Sequence, residues 1–281
     1  KRGDYMKFWK LHGIGNDFIA IDGREDNIDS NGYSEFAKVV CHRKFSVGAD
    51  GILVVKNSDN ADVEMVYYNS DGSRAAMCGN GLRCFVKFVY DNNIVRKEEF
   101  DVYTLDGIKK IKINLKDNEI DSIKVNMGKG SFIPKDIPVV TNKDIFINER
   151  VQILDKEFYI SSINMGVPHT VILVDELNLE EVRKYGREIE KYKIFPEGTN
   201  VNFVKVVDKN NITVNTWERG CGYTLGCGTG MTASAVTCNY LDKVGKSVNV
   251  TSQGGSVKID IEDFVYMTGP SVKICEGNLE V

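Results

Sequence analysis

The chain has 281 residues, 42% of them apolar and 27% charged, with 36 Lys and Arg against 40 Asp and Glu for a formal charge of −4. That balance excludes a disordered, collagen-like or disulfide-framework protein, and the lack of a basic excess or a basic stripe argues against nucleic acid as a partner. No run approaches the ~20 apolar residues that span a bilayer, so no membrane partner is expected. With no export signal read at its start, the chain is expected in the cytoplasm. Lys1 to Tyr5 read as an appended or ragged lead, with the folded sequence expected from Met6.

In chain order, Lys7 to Asp22 predicts a strand pair broken by the turn signal Gly13-Ile14-Gly15-Asn16-Asp17. Ser34 to His42 suits a short helix with Ser34 as its N-cap and Phe36, Val39 and Val40 on one face. Gly51 to Val55 and Val63 to Tyr68 read as strands, followed by the loop Asn69-Ser70-Asp71-Gly72-Ser73. Met77-Cys78-Gly79-Asn80-Gly81 then leads into an apolar-periodic helix, Leu82 to Val89. Glu98 to Val125 is rich in β-branched residues and carries Asp-Gly and Asp-Asn turns. Phe158 to Val174, Val201 to Val207 and Ile212 to Trp217 repeat the strand theme, and Leu177 to Lys193 predicts a helix, acidic early and basic late. A second glycine-rich helix start, Gly226-Cys227-Gly228-Thr229-Gly230, precedes Met231 to Tyr240.

The two helix starts belong to a repeat. Cys78-Gly79-x-Gly81 and Cys227-Gly228-x-Gly230 lie 149 residues apart, and at the same offset Asn69 matches Glu218, each closing a strand. At an offset of 153, Gly13-x-x-Asn16 matches Gly166-x-x-His169. Two similar α/β halves are therefore expected, residues 6–125 and 126–268, with the segment from about 269 to 281 returning as a strand to the first.

The chain has seven cysteines. An odd number without a C-x-x-C pair disfavours both a disulfide framework and a zinc ribbon. Two C-x5-C pairs, Cys78/Cys84 and Cys221/Cys227, are too loosely spaced to specify a metal. The first turn of a helix offers unpaired N–H groups and a positive dipole end, so a glycine-rich start is a ready anion site whose field favours thiolate over thiol. A thiolate could remove a proton from one face of a carbon while an opposing thiol delivers one to the other, with helix N-termini stabilising the charge on an adjacent carboxylate. A single Cys-Gly-x-Gly is most often a packing feature. Its recurrence in register across the repeat favours the catalytic reading of Cys78 and Cys227. Cys41, Cys84, Cys221, Cys238 and Cys275 lack that recurrence and read as structural.

These motifs, His12-Gly13-Ile14-Gly15-Asn16-Asp17-Phe18, Asn69-Ser70-Asp71-Gly72-Ser73, Met77-Cys78-Gly79-Asn80-Gly81-x-Arg83-Cys84, Pro168-His169, and Glu218-Arg219-Gly220 with Cys227-Gly228-Thr229-Gly230, resemble those of the diaminopimelate epimerases, in the family's order. The resemblance runs from about Met6 to the C-terminus. It implies an α/β fold of two pseudo-symmetric domains, each a mixed sheet wrapped round a central helix, facing each other across an active-site cleft. It implies a homodimer, needing neither pyridoxal phosphate nor any other cofactor or metal, that interconverts LL- and meso-diaminopimelate on the way to lysine. By motif, Cys78 and Cys227 become the acid/base pair, with His169 and Glu218 as catalytic supports. Gly79, Asn80, Gly228 and Thr229 would bind the reacting carboxylate, and Asn16, Asn69, Asn200, Glu218 and Arg219 the rest of the substrate.

Two positions depart from the family's pattern. Val167 stands before Pro168-His169 where Asn is usual, and Tyr223 stands where the loop after Glu218-Arg219 usually has Glu. They bear on the substrate rather than the reaction type, and leave open a racemase for another amino acid, such as histidine. A non-catalytic protein using its cysteines as metal ligands is the alternative of a different class. A dinucleotide or phosphate site is a weaker rival, since Gly13-x-Gly15 lacks the third glycine and no Walker sequence occurs.

Overall fold

The structure, a computed structural model, describes residues 5–26 and 28–280. Of the lead expected to precede the fold, Lys1 to Asp4 lie outside the described residues, whereas Tyr5 already belongs to the first strand. The chain divides into two compact units, one running to Val125 and taking back the chain from Gly269, the other spanning Asn126–Thr268.

In the first unit, β1 (Tyr5–Gly13) and β2 (Asn16–Asp22) form a hairpin. Its two turn residues both adopt positive φ, Ile14 at 48° and Gly15 at 84°, the handedness that matches strand twist in a two-residue turn. Helix α1 (Ser30–Val40) follows, then β3 (Gly51–Lys56), β4 (Val63–Asn69), the short β5 (Arg74–Ala75) and α2 (Gly79–Asp91). The N-cap of α1 is Asp29, whose carboxylate accepts from Gly32 N at 2.8 Å, not Ser34 as the sequence suggested. Ser34 lies inside the helix and its hydroxyl donates to Gly72 O at 2.7 Å. The acidic side chain five residues earlier satisfies the orphan helix N–H groups, so the helix starts a turn sooner. Strands β6 (Glu99–Thr104), β7 (Gly107–Lys116) and β8 (Glu119–Gly128) complete a meander.

The sheet is mixed: β2 pairs parallel with β3 and β4 parallel with β6, each crossover carrying one helix. Its central strands are buried on both faces, which explains their nearly continuous apolar sequence. On one face Tyr33, Ala37 and Val40 of α1 pack on Ile19, Ile21, Ile52, Val54 and Val66. On the other, Gly81 at the start of α2 lies against Phe18 and Leu53, and Phe88 meets Trp9 edge-on at 5.6 Å between ring centroids.

The second unit repeats this plan. Strands β9 (Glu149–Ile153), β10 (Lys156–Asn164) and β11 (Pro168–Leu173) are antiparallel neighbours, and α3 (Leu179–Glu190) crosses to β12 (Asn200–Asp208), parallel to β11. After β13 (Asn211–Glu218) and the short β14 (Gly222–Thr224), α4 (Gly228–Tyr240) crosses to β15 (Ser247–Ser252), parallel to β13. Strands β16 (Gly255–Ile261) and β17 (Val265–Gly269) follow as a meander. The last strand, β18 (Val272–Glu280), runs antiparallel to β1 in the first unit, filling the place that β9 holds beside β10.

Helix α3 packs Val182, Tyr185 and Ile189 on Phe158, Ile160, Ile172, Val201 and Phe203. The other face of the sheet curls round α4, which touches β10, β11, β12, β13, β15 and β16. This explains the composition of α4: buried along most of its length, it is built mainly of small residues, and the Thr232 and Ser234 hydroxyls bond back to Gly228 O and Gly230 O. No helix among the described residues is long and apolar enough to cross a membrane.

Candidate active site

Both enclosed helices begin with a cysteine as N-cap. Cys78 caps α2 with extended backbone, and its sulfur accepts from Gly81 N at 3.5 Å. Cys227 caps α4 in the same way, accepting from Gly230 N at 3.4 Å with the Thr229 hydroxyl also 3.4 Å away. A sulfur in the place of the usual oxygen cap holds the reactive atom where the helix field favours negative charge.

The other predicted residues gather by strand alternation. On β12, Val201 and Phe203 face the α3 core, so Asn200 and Asn202 share the opposite face, with α4. On β11, Ile172 faces α3, so His169 belongs to the α4 face as well. On β13, Trp217 packs toward α3, and Glu218 at the strand end turns the other way. In the first unit the same logic puts Asn16 at the start of β2 and Asn69 at the end of β4 on the α2 face, since Ile19, Ile21, Val66 and Tyr68 face α1. Each unit thus sets one polar residue at the start of a strand, another at the end of a second strand, and a cysteine at the start of its enclosed helix.

Contacts in the second unit join most of the predicted set. Asn200 donates to Pro168 O at 2.8 Å and accepts from Arg219 N at 2.9 Å, tying the turn before His169 to the loop after Glu218. Arg219 donates from its guanidinium to Glu197 O at 2.8 Å, and Glu218 accepts from the Thr224 hydroxyl at 2.6 Å. His169 is fully buried, and its Nε2 has no hydrogen-bond partner among the described residues. Burial, with a smaller contribution from the Arg219 charge, pushes its basicity down to about 3, so the imidazole is neutral.

In the first unit, Asn16 Oδ1 lies 3.4 Å from Cys78 Sγ and 3.5 Å from Asn80 Nδ2. Asn69 is occupied in its own turn, accepting from Tyr67 Oη at 2.7 Å and donating to Ser73 Oγ at 2.9 Å. Gly79 and Gly228 open their helices as buried residues.

The five remaining cysteines divide. Burial pushes the thiols of Cys41, Cys84 and Cys238 up to about 12, which makes them inert. Cys221 and Cys275 are exposed, and so are not the packing residues the sequence suggested. Among the described residues, no three His, Cys, Asp or Glu side chains gather as metal ligands would.

Sequence reasoning missed two polar residues beside these. Asn202, fully buried, contacts His169, and its Oδ1 lies where a Cβ on Gly230 would come within 2.4 Å. Glu190 of α3 accepts from Trp217 Nε1 at 2.7 Å and Gly220 N at 3.0 Å, pinning both sides of Glu218-Arg219. The pair Asn200-Val201-Asn202, polar at alternate positions of an apolar strand, was the signal for the first. The departures are also placed. Val167 is 36% exposed at the β10–β11 turn. Tyr223 packs toward α3, its hydroxyl on Gln253 Oε1 at 2.6 Å and Arg183 5.9 Å from its ring, on the strand face opposite Thr224 and Glu218.

The diaminopimelate epimerase family profile matches residues 8–133 and 161–274. The chain is 48% identical over 274 residues to the diaminopimelate epimerase of Alkaliphilus metalliredigens, covering 97% of this chain and 96% of that protein. It is 50% identical to that of Clostridium perfringens, covering 97% and 98%. Among solved structures it is similar to a hydroxyproline epimerase of Agrobacterium vitis, with a TM-score of 0.73 at 14% identity over 98% of this chain and 92% of that one. It is also similar to a phenazine biosynthesis protein of the PhzF family from Bacillus anthracis, with a TM-score of 0.70 at 14% identity over 99% and 100%. Likeness at that identity is a likeness of fold. On the sequence identity to its curated relatives, the chain belongs to the diaminopimelate epimerase family, and is an isomerase of the amino-acid epimerase class.

Proposed function

We propose that the chain interconverts LL- and meso-2,6-diaminopimelate by proton exchange at one α-carbon, with Cys78 and Cys227 as the two acid/base groups. The observation that carries this reading is the duplicated plan: equivalent enclosed helices each begin with a cysteine whose sulfur accepts the N–H three residues on. One sulfur, as thiolate, takes the α-proton, and the other, as thiol, returns one to the opposite face. The chain ends the turnover with the two protonation states exchanged, ready for the reverse direction. The reading requires both sulfurs to reach opposite faces of the same carbon.

The N–H groups of the first turns, at Gly79 and Asn80 and at Gly228 and Thr229, suit the negative charge that gathers on the substrate carboxylate as the α-proton leaves. His169 and Glu218 support the reacting centre. A neutral, buried His169 donates or accepts without placing a second charge beside the carboxylate. Asn16, Asn69, Asn200 and Arg219 hold the remaining amino and carboxylate groups, the guanidinium suiting a carboxylate. The homodimer and the cytoplasmic location belong to the same proposal, and light scattering on the purified protein measures the former.

The test is proton NMR of the reduced enzyme in D2O with LL-diaminopimelate, meso-diaminopimelate and a panel of L-amino acids including histidine. The expected result is loss of the α-proton signal of diaminopimelate with growth of the other isomer. Exchange confined to another amino acid would overturn the substrate and keep the chemistry, and no exchange on any would overturn both.

A further inference from the structure

The direction of one hydrogen-bond chain beside Cys78 is set by its two ends. Asp50 immediately precedes β3, and the parallel pairing of β3 with β2 puts it beside the start of β2, where Asp50 N donates to Asp17 O at 2.9 Å. The Asp50 carboxylate, which can only accept, takes Asn16 Nδ2 at 2.6 Å and Asp17 N at 3.2 Å on its Oδ2, and Arg43 at 2.7 Å on its Oδ1. At the other end Arg83, fully buried and able only to donate, gives an N–H to Asn80 Oδ1 at 2.8 Å. Both amides are therefore oriented: Asn80 turns its NH2 toward Asn16, and Asn16 turns its carbonyl oxygen to Asn80 Nδ2 and to Cys78 Sγ. The sulfur of Cys78 then meets an acceptor, Asn16 Oδ1, and a donor, Gly81 N, which together suit an S–H group. Around Cys227 the matching contacts are Gly230 N, a donor, and the Thr229 hydroxyl, which serves in either sense.

We propose that Asp50 is a positioning residue that locks the Asn16 amide with its oxygen toward Cys78 and so favours the proton-carrying form of that thiol. This rests on Cys78 being one of the two reacting cysteines. The charged and titratable groups on the elements packed about this end of α2 include Lys10 and His12 on β1, Asp17 on β2, Arg43, Asp50 itself, and Arg83 and the buried Cys84 on α2. Of these, Asp50 alone bonds the Asn16 side chain.

Asp50→Ala removes the lock. The acceptor shared by Asn16 Nδ2 and Asp17 N is then gone, and the Asn16 amide is free to turn its NH2 to the sulfur, where a donor favours thiolate.

The experiment measures the rate of Cys78 alkylation by iodoacetamide against pH, read by peptide mass spectrometry, with no substrate present. The exposed Cys221 and Cys275 serve as internal standards and circular dichroism checks the fold. Expected for Asp50→Ala is a midpoint moved down in pH with the high-pH plateau unchanged, making Cys78 about tenfold faster near neutrality. Loss of a carboxylate charge would move the midpoint the same way, but screening in about 1 M NaCl largely removes that contribution and leaves the amide flip. Asn16→Ala, which deletes the acceptor, should speed Cys78 similarly, and Asp50→Ala should add nothing in that background at high salt. The proposal is overturned by an unmoved midpoint in either single variant. It is equally overturned by a shift that vanishes in high salt, or by one that survives undiminished in the Asn16→Ala background. None of these outcomes depends on turnover, so failure here is distinct from an absence of α-proton exchange.

Discussion

Asn202 fixes which nitrogen of His169 carries the proton. Its Nδ2 lies 3.2 Å from Thr170 O, a group that only accepts, so the atom there is the NH2 group, and the Thr216 hydroxyl occupies its Oδ1 at 2.9 Å. The same Nδ2 lies 3.2 Å from His169 Nδ1, which must then accept. In a neutral imidazole the proton is left on Nε2, the buried atom with no hydrogen-bond partner among the described residues.

Asn202→Asp should therefore invert the imidazole. A carboxylate at Nδ1 calls for a proton there and raises the basicity of the ring, so nitrogen-15 NMR should report the proton moved from Nε2 to Nδ1. Turnover should fall about 10- to 100-fold, more in kcat than in KM. Gly230→Ala should show part of the same loss, because its Cβ would stand 2.4 Å from Asn202 Oδ1 and displace the amide. Full activity together with an unchanged nitrogen spectrum in Asn202→Asp would contradict the assignment.

Burial of neutral His169 also sets a pH dependence of stability. Its folded value of about 3 lies below the ordinary 6.5, so as pH falls the unfolded chain binds the proton first. Stability is then flat above about pH 6.5 and declines toward pH 3, by at most about 1.4 kcal/mol per pH unit. Guanidinium unfolding at pH 7 and pH 5 measures the slope, and His169→Gln should flatten it.

Cys78→Ala and Cys227→Ala should each lower kcat by about a thousandfold or more while the melting temperature stays near that of the parent, since each removes one small side chain at a helix start. The ordering of the other thiols gives a control. Cys221 and Cys275 should react with iodoacetamide in the folded protein, and Cys41, Cys84 and Cys238 only after unfolding. A single alanine variant with near-normal epimerisation would remove the two-base assignment.

Val167 sits one residue before Pro168, whose carbonyl takes the Asn200 amide. Restoring the family's usual residue by Val167→Asn adds one amide at the turn and should lower KM for diaminopimelate about fivefold with kcat little changed, the effect of about 1 kcal/mol of hydrogen bonding. Tyr223→Glu should have a smaller effect on KM, because that side chain packs toward α3. Michaelis kinetics on both variants would expose the reverse order.

The duplication, the two cysteine-led helices and the matched positions Asn16/His169 and Asn69/Glu218 were legible in the sequence because they rest on local signals, whereas the roles of those four residues and of Arg219 came only from the resemblance of their motifs to a family. Spacing, glycines at helix starts and the end of each apolar strand are written in consecutive residues. The start of α1 was misjudged by a turn because an N-cap is decided by which nearby side chain reaches the orphan N–H groups, and Asp29 reaches them ahead of Ser34. Asn202, Glu190 and Asp50 act from other elements, at sequence distances of 33, 30 and 34 residues from the partners they orient, and Arg83 acts within α2, 3 residues from Asn80. Three of the four contacts exist only after strand register has been chosen, and Arg83, though local, reads as an ordinary surface cation until α2 is enclosed. The sequence by itself determined the residue types at the two helix starts and their repetition. Only the tertiary structure decided which nitrogen of His169 holds a proton and which atom of Asn16 meets Cys78, since the direction of a hydrogen bond depends on what stands at the far side of each amide.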